Sequence, residues 1–422
     1  MPTSKKSFRP GKDRVLYAQA VYGQEEIDAV VEALKRNWLG PGELTEKFEG
    51  EIAKLFGKKH GLFVNSGSSA NLIAIEIANL PPGCEVITQA CTFPTTLSPI
   101  VIFGLKPVFV DSELGSYNIN PDKIEAAISP KTKAVFVAHS IGNVCDMEKI
   151  ATICHRYNLI FIEDSCDIHG GKFEGKPTGF FSDITTTSFY APHAMTAAGG
   201  GGMVMTNDRE QIRQAKIFRD WGRALPENED ENIEERFSFK VGDVDYDGKF
   251  TYLKLGYNFK PIEIQAAFGL VQLKKLPKFN QRRAANFERL YNFFKNWQDH
   301  FILPEVHPKA EVYWLAFPLT VRQDSQIIRR HLLEYLEGNK IQTRLIHSGN
   351  ILYHKAYQRI NHRIAENLKN ADMILKNSFV IGCHHGMNDD QINYVCQTFE
   401  KYLKRFLPAV KNKKHHLIYQ AV

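Results

Sequence analysis

His60-Gly61-Leu62-Phe63-Val64-Asn65-Ser66-Gly67-Ser68-Ser69-Ala70-Asn71 reads as a short apolar strand that turns, through small residues, into a helix from Ala70 to Ala78. A strand that is apolar along its whole length is buried on both faces, as strands are in a parallel sheet covered by helices. The same pattern continues along the chain. Apolar runs at Glu85 to Thr88, Pro107 to Val110, Ala134 to Ala138, Leu159 to Ile162, Thr185 to Phe189 and Met203 to Thr206 are mostly separated by helix-like segments, such as Met147 to Tyr157. Upstream, Gln24 to Asn37 and Leu44 to Phe56 have helical periodicity. The expectation is an α/β chain on a mainly parallel sheet.

Further on, Gln211 to Phe218 and Ile262 to Leu276 read as helices, with Pro226 to Asn232 between them as an exposed acidic loop. A long helix from Arg282 to Trp297 leads into a smaller C-terminal α/β unit. Its expected strands are Trp314 to Val321 and Ile341 to Leu345, and its helices Gln326 to Leu336 and Asp390 to Tyr402. The boundary is placed near residue 285, giving a large domain over 1–285, N-terminal arm included, and a small one over 286–422.

With 422 residues, 43% hydrophobic and 24% charged, the chain has the composition of a soluble globular protein with a large core. No apolar run is long enough to span a bilayer, and no apolar signal region follows Met1 to Lys6, so a cytoplasmic protein with no membrane partner is expected. The net charge of +6 is spread out, apart from Lys411, Lys413 and Lys414. It suits an anionic small substrate and does not argue for nucleic acid. Cysteines 84, 91, 145, 154, 166, 383 and 396 form no CxxC pair and read as reduced thiols, with no metal site among them.

Four segments carry candidate chemistry. The turn Asn65 to Asn71 offers free backbone N–H groups and small hydroxyls to an anion; taken alone it is equally an ordinary capped turn. Phe161-Ile162-Glu163-Asp164-Ser165-Cys166-Asp167 sets acids at the carboxyl end of a strand, where open parallel sheets bind ligands, or where a carboxylate caps the next segment. Phe93, in Thr88 to Thr96, is placed to stack on an aromatic ligand or to join the core. Ser188-Phe189-Tyr190-Ala191-Pro192-His193 precedes four glycines, Gly199 to Gly202, a sign of close backbone approach.

In this order, together with Trp38-Leu39-Gly40-Pro41-Gly42, Leu255-Gly256-Tyr257-Asn258 and Gln265-Ala266-Ala267, these segments resemble the sugar aminotransferase/dehydratase family of fold-type-I pyridoxal-phosphate (PLP) proteins, from about Tyr22 to Phe399. The resemblance implies that Asp164 pairs with the pyridine nitrogen and that Phe93 stacks on the ring. Gly67, Ser68 and Ser188 would hold the phosphate, and Asn258 would reach the phosphate of a neighbouring subunit, making a homodimer with shared sites.

Position 193 is where that family carries its Schiff-base lysine. A histidine there cannot capture the cofactor but can move protons. Within the family it is similar to the nucleotide-hexose 3-dehydrases, working with pyridoxamine phosphate (PMP) and with His193 as acid–base catalyst. Phe218 to Arg223, Thr343-Arg344-Leu345 and Gly349-Asn350 resemble the branch acting on a CDP-linked 4-keto-6-deoxyhexose. That branch carries a [2Fe–2S] cluster and uses a partner reductase, its cysteines lying largely in the region of Ala224 to Phe237. No cysteine occurs there in this chain, so neither cluster nor reductase is expected. A second branch, acting on a GDP-linked sugar, has the histidine without a cluster and takes its amino group from L-glutamate. Trp38, Gly40, Pro41, Arg219 and Arg344 are candidate substrate contacts. The rival readings are an aminotransferase using another lysine, such as Lys172, and a non-catalytic PLP-binding regulator; no attached DNA-binding module supports the latter.

Overall fold

The computed structural model describes residues 7–225 and 232–407; the basic run at 411–414, and all of the acidic stretch except Asn232, lie outside them. Helices α1 (Gln24–Lys35) and α2 (Glu43–Leu55) lead into β1 (His60–Val64), α3 (Gly67–Ile77), β2 (Glu85–Gln89), α4 (Pro94–Ile102), β3 (Lys106–Val110), β4 (Thr132–Ala138), α5 (Met147–Arg156), β5 (Ile160–Asp164), β6 (Ile184–Ser188), β7 (Gly202–Thr206) and α6 (Arg209–Arg219). Then come α7 (Glu263–Phe294), β8 (Phe301–Ile302), β9 (Phe317–Val321), α8 (Arg329–Gly338), β10 (Arg363–Ile364), α9 (Lys369–Asn377), β11 (Ser378–Ile381) and α10 (Asp389–Phe406).

The large sheet has eight strands in the order β1-β7-β6-β5-β4-β2-β3-β10. Only β7 runs against its neighbours; the other pairings are parallel. β2, β6 and β7 are buried at every residue, which is why their sequences show no alternation. One face packs Leu62, Val86 and Phe109 against Ile73 of α3, Leu97 of α4 and Ile212 of α6. The other packs Val108, Val135 and Phe161 against Ile150 and Ile153 of α5. This is the fold-type-I architecture of PLP-dependent enzymes, and it brings the carboxyl ends of β1, β4, β5 and β6 to one edge.

Two expected helices, Ile262 to Leu276 and Arg282 to Trp297, are a single 32-residue helix, α7, with Pro277 inside it. A proline removes its own N–H bond and usually ends or kinks a helix. Here both ends are held by packing. Gly269 lies against the ring of Phe48, and Leu290 and Phe294 enter the C-terminal core. Residue 285 therefore falls within a helix. The smaller antiparallel sheet, β8-β9-β11, packs with Leu332 of α8 and Ile392 and Phe399 of α10. β10 crosses back to pair with β3 at the edge of the large sheet.

The strand expected over Ile341 to Leu345 is replaced by two isolated bridges, Val15 with Ile341 and Arg344 with Val380. Each half pairs with a different segment, so no continuous ladder forms. The N-terminal arm thus lies against this stretch, and Tyr17 N–H donates to Gln342 Oε1 at 3.1 Å. Among the described residues no helix is long and apolar enough to cross a membrane.

Candidate active site

The strand ends open into a cavity of about 490 Å³. At the end of β1, Ser66 is extended and its hydroxyl accepts the Ser69 N–H at 3.1 Å, while Ser69 Oγ donates to Asn65 Oδ1 at 2.7 Å. This cap starts α3 at Gly67, three residues before the expected start at Ala70, because small polar residues carry no apolar periodicity. Gly67 and Ser68, in the first turn, line the cavity and present the amide-rich end of the helix to it.

A Cβ on Gly67 would lie 2.6 Å from Ser188 Cβ and 2.9 Å from Cys166 Sγ. Glycine is required here by the close approach of α3, the end of β6 and the Cys166 turn. Gly67→Ala is expected to cost about 1–3 kcal/mol of stability, as overpacking does; a melting temperature equal to wild type would contradict this.

Asp164 ends β5 and is buried. Its Oδ2 accepts from Asn71 Nδ2 and Thr96 Oγ1, both at 2.7 Å, and its Oδ1 accepts the Cys166 N–H at 3.0 Å. Thr186 Oγ1 donates to Asn71 Oδ1 and so turns the amide nitrogen toward Asp164. All these donors are neutral, so the negative charge is oriented but not cancelled. A buried carboxylate of this kind calls for a cationic partner, which a protonated ring nitrogen supplies. The helix end, the glycine cradle and this carboxylate fit a phosphorylated pyridine. Ser188, at the end of β6, lies beside Gly67 and accepts the Tyr190 N–H at 3.3 Å. Phe93 holds the N-cap position of α4, 53% exposed, with its ring outside the core and on the cavity.

His193 also lines the cavity. Its Nδ1 lies 3.7 Å from Asp167 Oδ1 and has no hydrogen-bond partner among the described residues. Burial pushes its pKa below the ordinary value of 6.5, against the opposing pull of Asp167. Asp167 receives the Ile141 N–H at 3.1 Å and faces a second histidine, His347, whose Nε2 is 3.3 Å from Oδ2. Sequence reasoning assigned no role to Asp167, although it sits in the quoted EDSCD run, nor to His347 or Tyr17. Nothing local to His347 or Tyr17 signals a site.

Arg344 lines the cavity, with its guanidinium 5.0 Å from the Tyr17 ring, and no carboxylate pairs with it among the described residues. Other expected contacts are placed elsewhere. Arg219 is buried, with Nε 2.8 Å from Asp220 Oδ1 and Nη1 donating to Phe63 O at 3.1 Å. Trp38, Gly40 and Pro41 form an exposed or half-exposed loop in which Trp38 Nε1 donates to Pro41 O at 3.1 Å, and none of them lines this cavity. Asn258 is exposed and bridges to Asp220 through its backbone. Lys172 pairs with Glu311 at 3.2 Å away from the cavity, and among the described residues no lysine lines it. Among the described residues no three His, Cys, Asp or Glu side chains gather to hold a metal ion.

The fold and cavity define the aminotransferase-like class of cofactor enzymes. The chain belongs to the DegT/DnrJ/EryC1/StrS aminotransferase family, which it matches over residues 21–400. It is 37% identical to dTDP-4-dehydro-2,6-dideoxy-D-glucose 3-dehydratase of Saccharopolyspora spinosa, over 94% of this chain and 88% of that protein. It is 38% identical to the lipopolysaccharide biosynthesis protein RfbH of Salmonella typhimurium, over 94% of each. The solved structure of E. coli GDP-4-keto-6-deoxy-D-mannose-3-dehydratase with bound hydrated PLP matches with a TM-score of 0.83 at 28% identity, over 92% of this chain and 99% of that one.

Proposed function

We propose that this protein is a PLP/PMP-dependent 3-dehydratase that removes the C3 hydroxyl of a nucleotide-linked 4-keto-6-deoxyhexose in deoxysugar biosynthesis. The observation that carries this reading is a cavity in which His193 stands and, among the described residues, no lysine does. Two of the relatives above are named as 3-dehydratases of nucleotide sugars. Against the aminotransferase reading, Lys172 lies outside the cavity beside Glu311, and among the described residues no other lysine lines it.

When bound, the amine form of the cofactor supplies an amine for the C4 ketone and a ring that takes up negative charge. Gly67, Ser68 and Ser188 hold the phosphate, Phe93 covers the ring and Asp164 keeps the ring nitrogen protonated. His193 Nε2 accepts the proton that elimination releases, and Asp167 steadies the ring that carries it. Such a group contributes about 10²–10⁴ in rate.

His193 acts in its neutral form, and burial holds its pKa below 6.5. The acid limb of kcat/KM should therefore lie below pH 6.5, activity falling only as the pH drops through that lowered value. Asp167→Asn should move the limb lower still, because the carboxylate raises the His193 pKa. A limb at or above 6.5 would assign it to another group.

The resemblance favours a CDP-linked sugar, and the relative from Saccharopolyspora spinosa is named for a dTDP-linked one. A pyrimidine nucleotide is the reading we adopt, ahead of GDP. A panel of CDP-, dTDP- and GDP-linked 4-keto-6-deoxyhexoses, with products read by mass, tests both reaction and base. Transfer of an amino group to the sugar, or binding without turnover, would sink the dehydratase.

Asn258 lies outside its own cavity in a stretch where Tyr252, Leu253 and Leu255 are 57%, 52% and 95% exposed. Exposed apolar side chains of this kind mark a contact surface. We place Asn258 at the phosphate of a neighbouring subunit, with Trp38, Gly40 and Pro41 facing the same neighbour, and read Arg219 as a buried brace. Mixing His193→Asn and Asn258→Ala chains should restore activity above either parent. With no cysteine between Ala224 and Phe237, turnover should need glutamate and no reductase. Iron analysis after anaerobic purification, and a reductase requirement, are the direct checks.

A further inference from the structure

Elimination needs two proton movements. One leaves carbon, and one must reach the departing oxygen, because hydroxide is a poor leaving group. His193 serves the first. Two more imidazoles line the cavity among the described residues. His139 has both nitrogens engaged, Nε2 3.0 Å from Glu163 Oε1 and Nδ1 accepting the Cys145 N–H at 3.1 Å, whereas His347 faces the same carboxylate as His193: its Nε2 is 3.3 Å from Asp167 Oδ2, while His193 Nδ1 is 3.7 Å from Oδ1. The nitrogens turned to Asp167, Nδ1 of His193 and Nε2 of His347, make no hydrogen bond with the described residues, and the other nitrogen of each ring is Nε2 of His193 and Nδ1 of His347. The two rings come from distant parts of the sequence, and both line the cavity.

His347 is held there at a cost. Its φ is +42°, a left-handed conformation that a residue with a Cβ rarely adopts. The loop is clamped around it. Ser348 Oγ donates to Thr92 O at 2.7 Å, His354 Nε2 lies 2.9 Å from Ser348 O, and a Cβ on Gly349 would be 2.6 Å from Leu375 Cα. The Ser348 contact ties His347 to the segment that carries Phe93, and the Phe93 and His347 rings meet edge-on at 6.3 Å.

We infer that His347 is a second catalytic residue, the proton donor to the hydroxyl that leaves C3. The inference rests on the dehydratase reading. As the C3–O bond breaks, its electron pair goes to oxygen and the His347 Nδ1 proton joins it, so that water departs. His193 Nε2 gains the proton lost from carbon. Asp167 faces one imidazolium before the step and one after it, so the charge of the three groups is unchanged, and nothing is oxidised or reduced.

The test compares two leaving groups. His347→Asn and His347→Phe are assayed on the natural C3-hydroxyl substrate and on its C3-fluoro analogue, since fluoride leaves without a proton donor. The variants should lose about 10²-fold or more on the hydroxyl substrate, the contribution of a positioned acid, and should release fluoride at nearly the wild-type rate. A second readout needs no turnover. In cofactor-free protein, diethyl pyrocarbonate should acylate His347, as mapped by peptide mass, and PMP with nucleotide sugar should protect it. Equal losses with both leaving groups, no loss with either, or an unreactive His347 would overturn the assignment. Wild-type protein that eliminates neither group would instead overturn the dehydratase reading itself.

Discussion

His193→Lys protein is expected to hold the cofactor covalently, trapped as a lysine adduct by borohydride, and to lose dehydration by about 10²–10⁴-fold, the share of a positioned acid–base group. The side chain leaves the backbone toward the cavity that Asp164 and the start of α3 enclose. Lysine is longer than histidine and ends in a primary amine, the group that captures a carbonyl. Burial, which lowers the His193 pKa, also disfavours an ammonium, so the reactive neutral amine is populated. Peptide mapping of the trapped protein should find the label at 193. A label elsewhere, or none, would show that position 193 does not face the cofactor carbonyl and would remove the basis for its role as the base.

Asp164→Asn is expected to lower kcat by about 10²–10³-fold, the usual effect of losing one preorganised electrostatic group at a reacting centre. The change is nearly isosteric. The amide oxygen keeps an acceptor for Asn71 and Thr96, but its NH₂ cannot accept the Cys166 N–H that Asp164 Oδ1 now takes. Folding should therefore suffer by only about 1 kcal/mol, the typical net value of one hydrogen bond. Turnover should suffer far more, because no neutral group keeps the ring nitrogen protonated. Equal losses in melting temperature and activity in Asp164→Asn and Thr96→Val would argue that the carboxylate acts only as a structural acceptor.

Both expectations start from residues that could be singled out in the sequence, and the reason is local. Strands β2 and β6 are buried on both faces, so their apolar or small-residue runs show directly. Gly67, Ser68, Asp164, Ser188 and His193 lie at or beyond strand ends in a fixed order, and order is a property of the chain. Arg219 and Arg344 looked alike as candidates, yet one is closed in a buried ion pair and the other lines the cavity. Residue type cannot separate those two outcomes; burial does. Two helices were expected where α7 runs unbroken through Pro277, because contacts at both ends of the helix outweigh the one bond the proline removes.

The sequence by itself therefore determined the parallel sheet and the order of the segments at its strand ends, His193 among them, because strand burial, capping and motif order act over a few residues. Only the tertiary structure decided what surrounds that histidine. His347 lies 180 positions beyond Asp167 and Tyr17 lies 150 before it, and both reach the cavity through loop clamps and an arm pairing that exist only once the two sheets have packed on α7.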